Sequence, residues 1–546
     1  MGLLVNRRPE RAQDERAPGR HQAPGRPLHQ RLLAALCAGA MLLPAAPLHA
    51  QVNLPALGDS VSDDLSISAE KHLGEQIMRQ IRPDPDYLDD PLLLEYVQGV
   101  WAPLVEAARR QGNIGDDTSD RFAWETFLVR DRSVNAFALP GGYVGVHLGL
   151  LAITSSRDEL ASVLGHELSH ITQRHIARRI VGDSRSSMAA MAGMVLGLIA
   201  ASKAGSVDLA NAAILGSQAA AQQASLNFSR DMEREADRVG FNVMTGAGYQ
   251  GQGMVSMFER MDQAYHLMDS GAYPYLRSHP LTTERIGDAR LRLGTETPPP
   301  LDTSPEHALM AARSRVLMDP RAETWRQLQG MDAGVRQTLS HGHEQLAARY
   351  ASALASIKLR DFARAEAALQ LAEQLQRQTV PDDARARRDL AFLRAELAQA
   401  RGDATAGYVA LSALPEKSRA VLMMRGLLAQ VDKQPERVRA AAESLQTHVS
   451  LHPSDAGAWG LLSQLWTQLD QPLRAVRALG ESRAAMGDIN GAIDRLRSGL
   501  RLSRVKDADQ FEASVIDARL RALLYERRQL LLEMYPRGAP PGAELP

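Results

Sequence analysis

The hydrophobic pattern changes period along this chain. Between residues 120 and 151 the apolar positions come in short runs, DRFAWETFLVRD and VNAFALPGGYVGVHLGLL. These are rich in β-branched and aromatic residues and bounded by Gly and Pro, which predicts strands. After them the spacing becomes helical. Leu160, Val163, Leu164, Leu168 and Ile171 form one stripe of a helix, and Ser156 with Glu159 makes a capping box at its start. A second helix runs through NFSRDMEREADRVGF, with Met232, Ala236, Val239 and Gly240 on its packing side. TETPPPLDTSP (295–305) has the composition of a linker. From 306 to 535 the chain is rich in Ala, Leu, Arg and Gln at helical period, and its last residues, 536–546, read as a disordered tail. The expected fold class is α+β: a mainly helical domain with a small β-sheet, then an all-α helical repeat domain.

Within the helical half, AWGLLSQLWTQLDQPLRAVRAL sets Trp459, Leu462, Trp466, Ala475 and Leu479 at the large and small positions of a tetratricopeptide-type helix pair. LGESRAAMGDINGAIDRL offers Gly480, Ala492 and Leu496 in the same pattern. The two placements overlap by half a repeat, so the register stays open. A third uses Phe362, Ala365 and Leu369. A generic helical bundle is the alternative. Stacked helix pairs make concave grooves for protein segments, so this half reads as a binding surface rather than a second enzyme. SMAAMAGMVLGLIAAS (187–202) and LANAAILGSQAAAQQA are apolar but short for a bilayer. They predict a packed hairpin, with a movable lid over 187–221 as the sharper reading.

Length adds that the 546 residues suffice for two or three domains. Charge adds little pull in any direction. Lys and Arg number 63 against 64 Asp and Glu, so no nucleic-acid partner is expected and no general attraction to anionic membranes. The N-terminus is separate. A basic stretch from Arg7 to Arg31 precedes LLAALCAGAMLLPAAPLHA, the layout of a secretory signal peptide cleaved before Gln51. Cys37 lies inside it, and bulky Leu36 argues against a lipoprotein site. The secreted chain would have no cysteine, so a metal site must use His and carboxylates.

The candidate chemistry lies in VLGHELSHIT. His166 and His170 are four apart, one above the other on a helix, where two imidazoles can reach one ion. Glu167 is rotated by about 100°, poorly placed as an in-line ligand but well placed to hold a water as general base. This is H-E-x-x-H. The alternative is a polar face with solvated histidines, weakened because Gly165 and Ser169 leave space around them. A zinc site needs a third ligand. Gln173 stands where a metzincin has Gly, and His175 is one residue short of the ligand position, so His175 is expected at the helix surface or behind a ligand. On the second helix Glu233 would complete a His-His-Glu set. Asp237, one turn on, could bond a ligand histidine or steady intermediates. Glu235 competes on spacing alone, but points about 160° away from Asp237.

HELSH followed about 60 residues later by EREAD resembles the zinc metallopeptidases that include HtpX and the CAAX prenyl proteases. SVNAFALPGGYVGVHLGLL, DELASVLGHELSHITQRH, SRDMEREADRVG and RSHPLTTERI, ahead of a tetratricopeptide-type half, are more closely similar to the periplasmic β-barrel assembly-enhancing proteases. This covers nearly all of the secreted chain. The resemblance implies a zincin-type fold, one Zn2+ per chain on His166, His170 and Glu233, and Glu167 and Asp237 as catalytic residues. It implies that His279 can take the open metal position and hold the enzyme latent. The residues alone say only that Pro280 and its flanks put His279 on a loop, where a lone histidine is usually exposed. Asn135, Ala136, Phe137 and Ala138 would form an edge strand to which a peptide substrate adds, unless the edge is simply blunted by Pro140.

The expected division is a signal peptide (1–50), a zinc metallopeptidase domain (51–294), a linker (295–305) and a tetratricopeptide-like domain (306–535). The resemblance implies unfolded or misassembled outer-membrane proteins as substrates and the barrel-assembly machinery as partner of the repeats. It also implies a periplasmic location, with peripheral contact at the outer membrane. A different class of function is a chaperone or scaffold working through the repeats, with latent proteolysis. Comparing Glu167→Gln with removal of residues after about 305 would separate the two. An integral-membrane prenyl protease is disfavoured, since no stretch after Gln51 is clearly long enough to span.

Overall fold

The computed structural model describes residues 66–182, 229–267, 274–294, 301, 303–331, 342–414, 418–504 and 509–534. The expected signal peptide, the apolar hairpin, most of the linker and the tail lie outside the described residues.

Helix α1 (Ile67–Ile81) is capped by Ser66, whose hydroxyl accepts from the Ala69 N–H. After β1 (Tyr87–Leu88), α2 (Pro91–Arg110) starts on Asp90 with Pro in its first turn. Strands β2 (Glu125–Val129), β3 (Ala136–Leu139) and β4 (Tyr143–His147) complete a four-stranded sheet in the order β1-β2-β4-β3. Strand β4 runs parallel to β2 and antiparallel to β3, with Ala136 opposite Val146 and Leu139 opposite Tyr143. Gly141 and Gly142 turn the β3–β4 hairpin at φ 76° and 89°, where a Cβ is strained.

All five residues of β4 are buried. One face of the sheet packs on Leu73, Ile77 and Ile81 of α1, and the other joins the main core. A strand covered on both faces reads as a continuous apolar run. That run is also where the sequence reading needs correcting. It continued strand through Leu151, but β4 ends at His147 and Leu148–Ile153 is helix α3. Periodicity cannot separate a buried strand from a buried helix.

The H-E-x-x-H helix is α4 (Arg157–Thr172), buried at every position from Asp158 to Ile171. The Ser156 hydroxyl accepts from the Glu159 N–H, as the capping box requires. The return bond differs. Glu159 accepts from the N–H and hydroxyl of Ser155, and from Ser256 and Arg260, so it ties α4 to a later helix rather than closing the box. Helices α5 (His175–Gly182), α6 (Arg230–Gly246) and α7 (Gln252–Leu267) follow. Then come a single turn, α8 (Tyr275–Ser278), and α9 (Thr283–Leu293).

The second half is a stack that begins with α10 (Pro305–Leu317) and includes the neighbouring pairs Gly342–Lys358 with Phe362–Thr379 and Ala456–Gln468 with Pro472–Met486. Helix Pro472–Met486 also packs on Ile489–Leu502, with Gly480 against Leu496. Because that helix faces both neighbours, each overlapping repeat placement finds a partner in it. The stack is docked on the first half. One core cluster runs without a break from Leu92 to Leu428. Arg313 of α10 donates to both oxygens of Asp90 at 2.8 and 2.7 Å. Cutting the chain near 305 would therefore uncover α3 and strand a buried carboxylate, which makes that truncation a poor test of a scaffold role. No helix among the described residues is long and apolar enough to cross a membrane.

Candidate active site

Helices α4 and α6 meet at two glycines. A Cβ on Gly240 would lie 3.0 Å from the carbonyl carbon and oxygen of Gly165 and from the His166 nitrogen. The space expected beside Gly165 is thus filled by the backbone of α6, and this approach brings the two functional helices together.

From there the side chains converge. One ligand atom each of His166, His170, Glu233 and His279 lies within 4.8 Å of the others, and all four residues are buried. His166 Nε2 is 3.0 Å from His170 Nε2 and 3.2 Å from His279 Nδ1. Glu233 reaches to 3.6 Å of His166 Nε2, 3.5 Å of His170 Nε2 and 3.0 Å of His279 Nδ1. Glu235 is not among them. It turns to the other side of α6 and meets His175 at 3.0 Å.

The outer nitrogens are engaged. His166 Nδ1 lies 2.9 Å from Asp237 Oδ1, and Arg285 grips the same carboxylate with Nε and Nη2 at 2.7 and 2.8 Å. Burial alone would raise the Asp237 carboxyl, but Arg285 and His166 hold it well below the usual carboxylate range. An ionised Asp237 only accepts, so His166 carries its proton on Nδ1 and points a lone pair from Nε2 into the cluster. Burial and the neighbouring histidines keep His170 neutral. Lone pairs facing one another at about 3 Å repel, so this donor set fits a cation and suits little else.

Glu167 lies against the cluster and is fully buried. Its Oε2 accepts from the Ala138 N–H of β3 at 3.0 Å, while Oε1 has no hydrogen-bond partner among the described residues. Burial, with Glu233 nearby, pushes its carboxyl up to about 8. A cation held by the cluster would favour its ionised form, the form a general base needs. Strand β3 is the sheet edge beside it, although the Ala138 N–H is occupied by Glu167 rather than free. Asn135 is buried and Phe137 and Ala138 are partly exposed.

His279 corrects the bottom-up expectation of an exposed loop residue. It is 2% exposed: Arg285 Nη1 donates to the carbonyl of the next residue, Pro280, while lying 2.9 Å from Glu233 Oε2, and so draws this loop onto the cluster. Tyr275 stacks on the His279 ring at 4.7 Å, and its N–H donates to the Val134 carbonyl just before β3. Arg285 and Tyr275 were not singled out in the sequence. A signal for the arginine exists: two buried acids on one helix, with a third on α4, demand a cation.

An H-E-x-x-H helix with a carboxylate from a following helix, beside the edge strand of a small sheet, defines a metallopeptidase. Residues 102–292 match the profile of Peptidase family M48. A Vibrio cholerae relative described as a β-barrel assembly-enhancing protease is 32% identical over 512 residues, covering 92% of this chain and 98% of the relative. The β-barrel assembly-enhancing protease of Escherichia coli is 30% identical over 510 residues, with the same coverage. The yeast mitochondrial metalloendopeptidase OMA1 is 29% identical over 231 residues, 41% of this chain and 63% of that protein. The chain belongs to the β-barrel assembly-enhancing proteases of peptidase family M48.

Proposed function

We propose that this metallopeptidase is a zinc-dependent endopeptidase of the periplasm that degrades misassembled outer-membrane β-barrel proteins and assists their assembly. The observation that carries the metal reading is the inward set of lone pairs on His166, His170 and Glu233, with each outer nitrogen already engaged. Bound there, Zn2+ would supply Lewis acidity to a peptide carbonyl and to the attacking water. Glu167 takes the water proton on Oε1 and returns it to the leaving amine. Asp237 orients His166, and Arg285 keeps Asp237 ionised. Substrate adds along Asn135, Ala136, Phe137 and Ala138.

His279 stands for the latent state. With Tyr275 it fills the space between β3 and the metal ligands, so a peptide must displace it. The names of the relatives support the substrate class and the barrel-assembly machinery as partner of the helical stack, and the basic and apolar N-terminal stretch supports the location.

The test combines metal analysis with three variants of the full chain. One zinc per chain is expected. Glu167→Gln should retain it while losing about 10²- to 10⁴-fold in cleavage of an unstructured protein. At saturating zinc, Glu233→Ala should lose stoichiometric metal, while Glu235→Ala should keep it even where its affinity falls. Metal lost in both, or in neither, overturns the ligand set. In cells, Glu167→Gln should leave an assembly-stalled β-barrel protein undegraded.

A further inference from the structure

The two histidines of the motif are supported differently. His166 meets a carboxylate directly. His170 meets another imidazole: its Nδ1 lies 2.9 Å from His175 Nδ1, with the rings edge to face at 4.9 Å. His175 Nε2 lies 3.0 Å from Glu235 Oε2, and Arg178 Nη1 donates to that same oxygen at 3.0 Å. His175 and His170 are both fully buried.

The backbone builds this contact. On a continuous helix, residues five apart are separated by about 140° and face different ways. Here the helix breaks at Arg174, which takes φ 52°, a left-handed conformation costly to a side-chain-bearing residue. Glu70 holds the Arg174 guanidinium at 3.1 Å. The break turns His175 back beneath His170.

Direction follows from chemistry. An ionised Glu235 can only accept, so His175 carries its proton on Nε2. Neutral His175 then offers Nδ1 as an acceptor. His170 must donate from Nδ1, which leaves its Nε2 lone pair facing the cluster.

We propose that His175, fixed by Glu235 and Arg178, is the positioning residue for His170, selecting the tautomer and ring angle that a metal requires. The inference rests on His166, His170 and Glu233 being the metal ligands. It also assigns Glu235, the rejected ligand, a purpose one step behind the site.

The test compares His175→Asn, His175→Gln and His175→Phe in the full chain. Zinc affinity is read by chelator competition, the site by the visible spectrum of the Co2+-loaded protein, and folding by the melting temperature without metal. An Asn oxygen stands near the position of Nδ1 and can still accept from His170. A Gln amide reaches the Nε2 position and cannot. Gln and Phe should therefore weaken zinc binding about 10- to 100-fold and alter the cobalt spectrum, while Asn stays within about threefold of the parent. Equal weakening by Asn and Gln would reduce His175 to a space-filling role and overturn the proposal. So would parental affinity in the Gln variant. If Phe fails to fold, the Asn and Gln pair decides. If the parent chain binds no zinc, the ligand reading falls first and takes this inference with it.

Discussion

Replacing Gly240 with Ala isolates the contact that sets the site. The added Cβ would sit 3.0 Å from three backbone atoms of α4, where ordinary contacts begin at 3.4 Å. Backbone cannot rotate away as a side chain can, so α6 must retreat from α4 by about 0.4 Å. Overpacking of this kind costs roughly 1–3 kcal/mol. Glu233 and Asp237 ride on the same helix and move with it, while His166 and His170 stay on α4. A displacement of about 1 Å can cost 10²-fold in rate, so the loss in kcat/KM should be about 10- to 100-fold. Circular dichroism melting reads the first effect, and cleavage of a fluorescent unstructured protein reads the second. Gly287→Ala is the control: it lies on α9 with nothing within 4 Å of the new Cβ, and should be neutral or stabilising by up to about 1 kcal/mol. Native activity and melting in Gly240→Ala would refute the reasoning. So would a lowered melting temperature with unchanged kcat/KM, since the contact would then be structural only.

Three further outcomes are expected. His279→Ala should raise basal cleavage severalfold without loss of zinc, measured as turnover per bound metal. Arg313→Leu should destabilise the fold by about 3–5 kcal/mol, read by denaturation, because it leaves Asp90 and Glu396 without their shared cation. Asp455 gives a pH dependence. Burial alone would raise its carboxyl, but Arg419, the Ala458 N–H and His448 hold it down to about 2. Its folded value lies below the ordinary 3.8, so its contribution of about 2 kcal/mol is complete above pH 3.8 and is lost as the pH falls toward 2. Asp455→Asn should lower stability at neutral pH and flatten the acid limb between pH 4 and 2.

Much of the site was legible because helix geometry is local. His166, Glu167 and His170 share one helix, and angles on α6 separate Glu233 from Glu235 without knowledge of the fold. Three of the four strands were legible from their punctuation, except where β4 passes into α3 with no change in hydrophobicity; the two-residue β1 (Tyr87–Leu88) is too short to show a period. What could not be read depends on contacts between segments distant in sequence. The burial of His279 comes from Arg285 and Tyr275, and a loop histidine carries no local mark of that. His175 was read against a continuous helix, and only the left-handed break at Arg174 explains where it points.

The helical stack is fixed to the peptidase half through α3 and through one end of α2. Asp90 holds Arg313 and Asp89 holds Arg419. Glu95 engages Arg388 and accepts from the Ser418 hydroxyl and the Ala420 N–H. The same α2 packs on α4 and α6 through its apolar side. The stack is therefore oriented in part by the helix that also supports α4 and α6, rather than hung on the 295–305 segment. Salt does little to loosen such a mount at its centre: at 1 M the screening length falls to about 3 Å, but the Arg313 and Asp90 side chains are only 4% and 10% exposed. A polypeptide held by the stack would then meet the β3 edge at a set distance, and its effective concentration there would be fixed by the fold rather than averaged over a flexible linker.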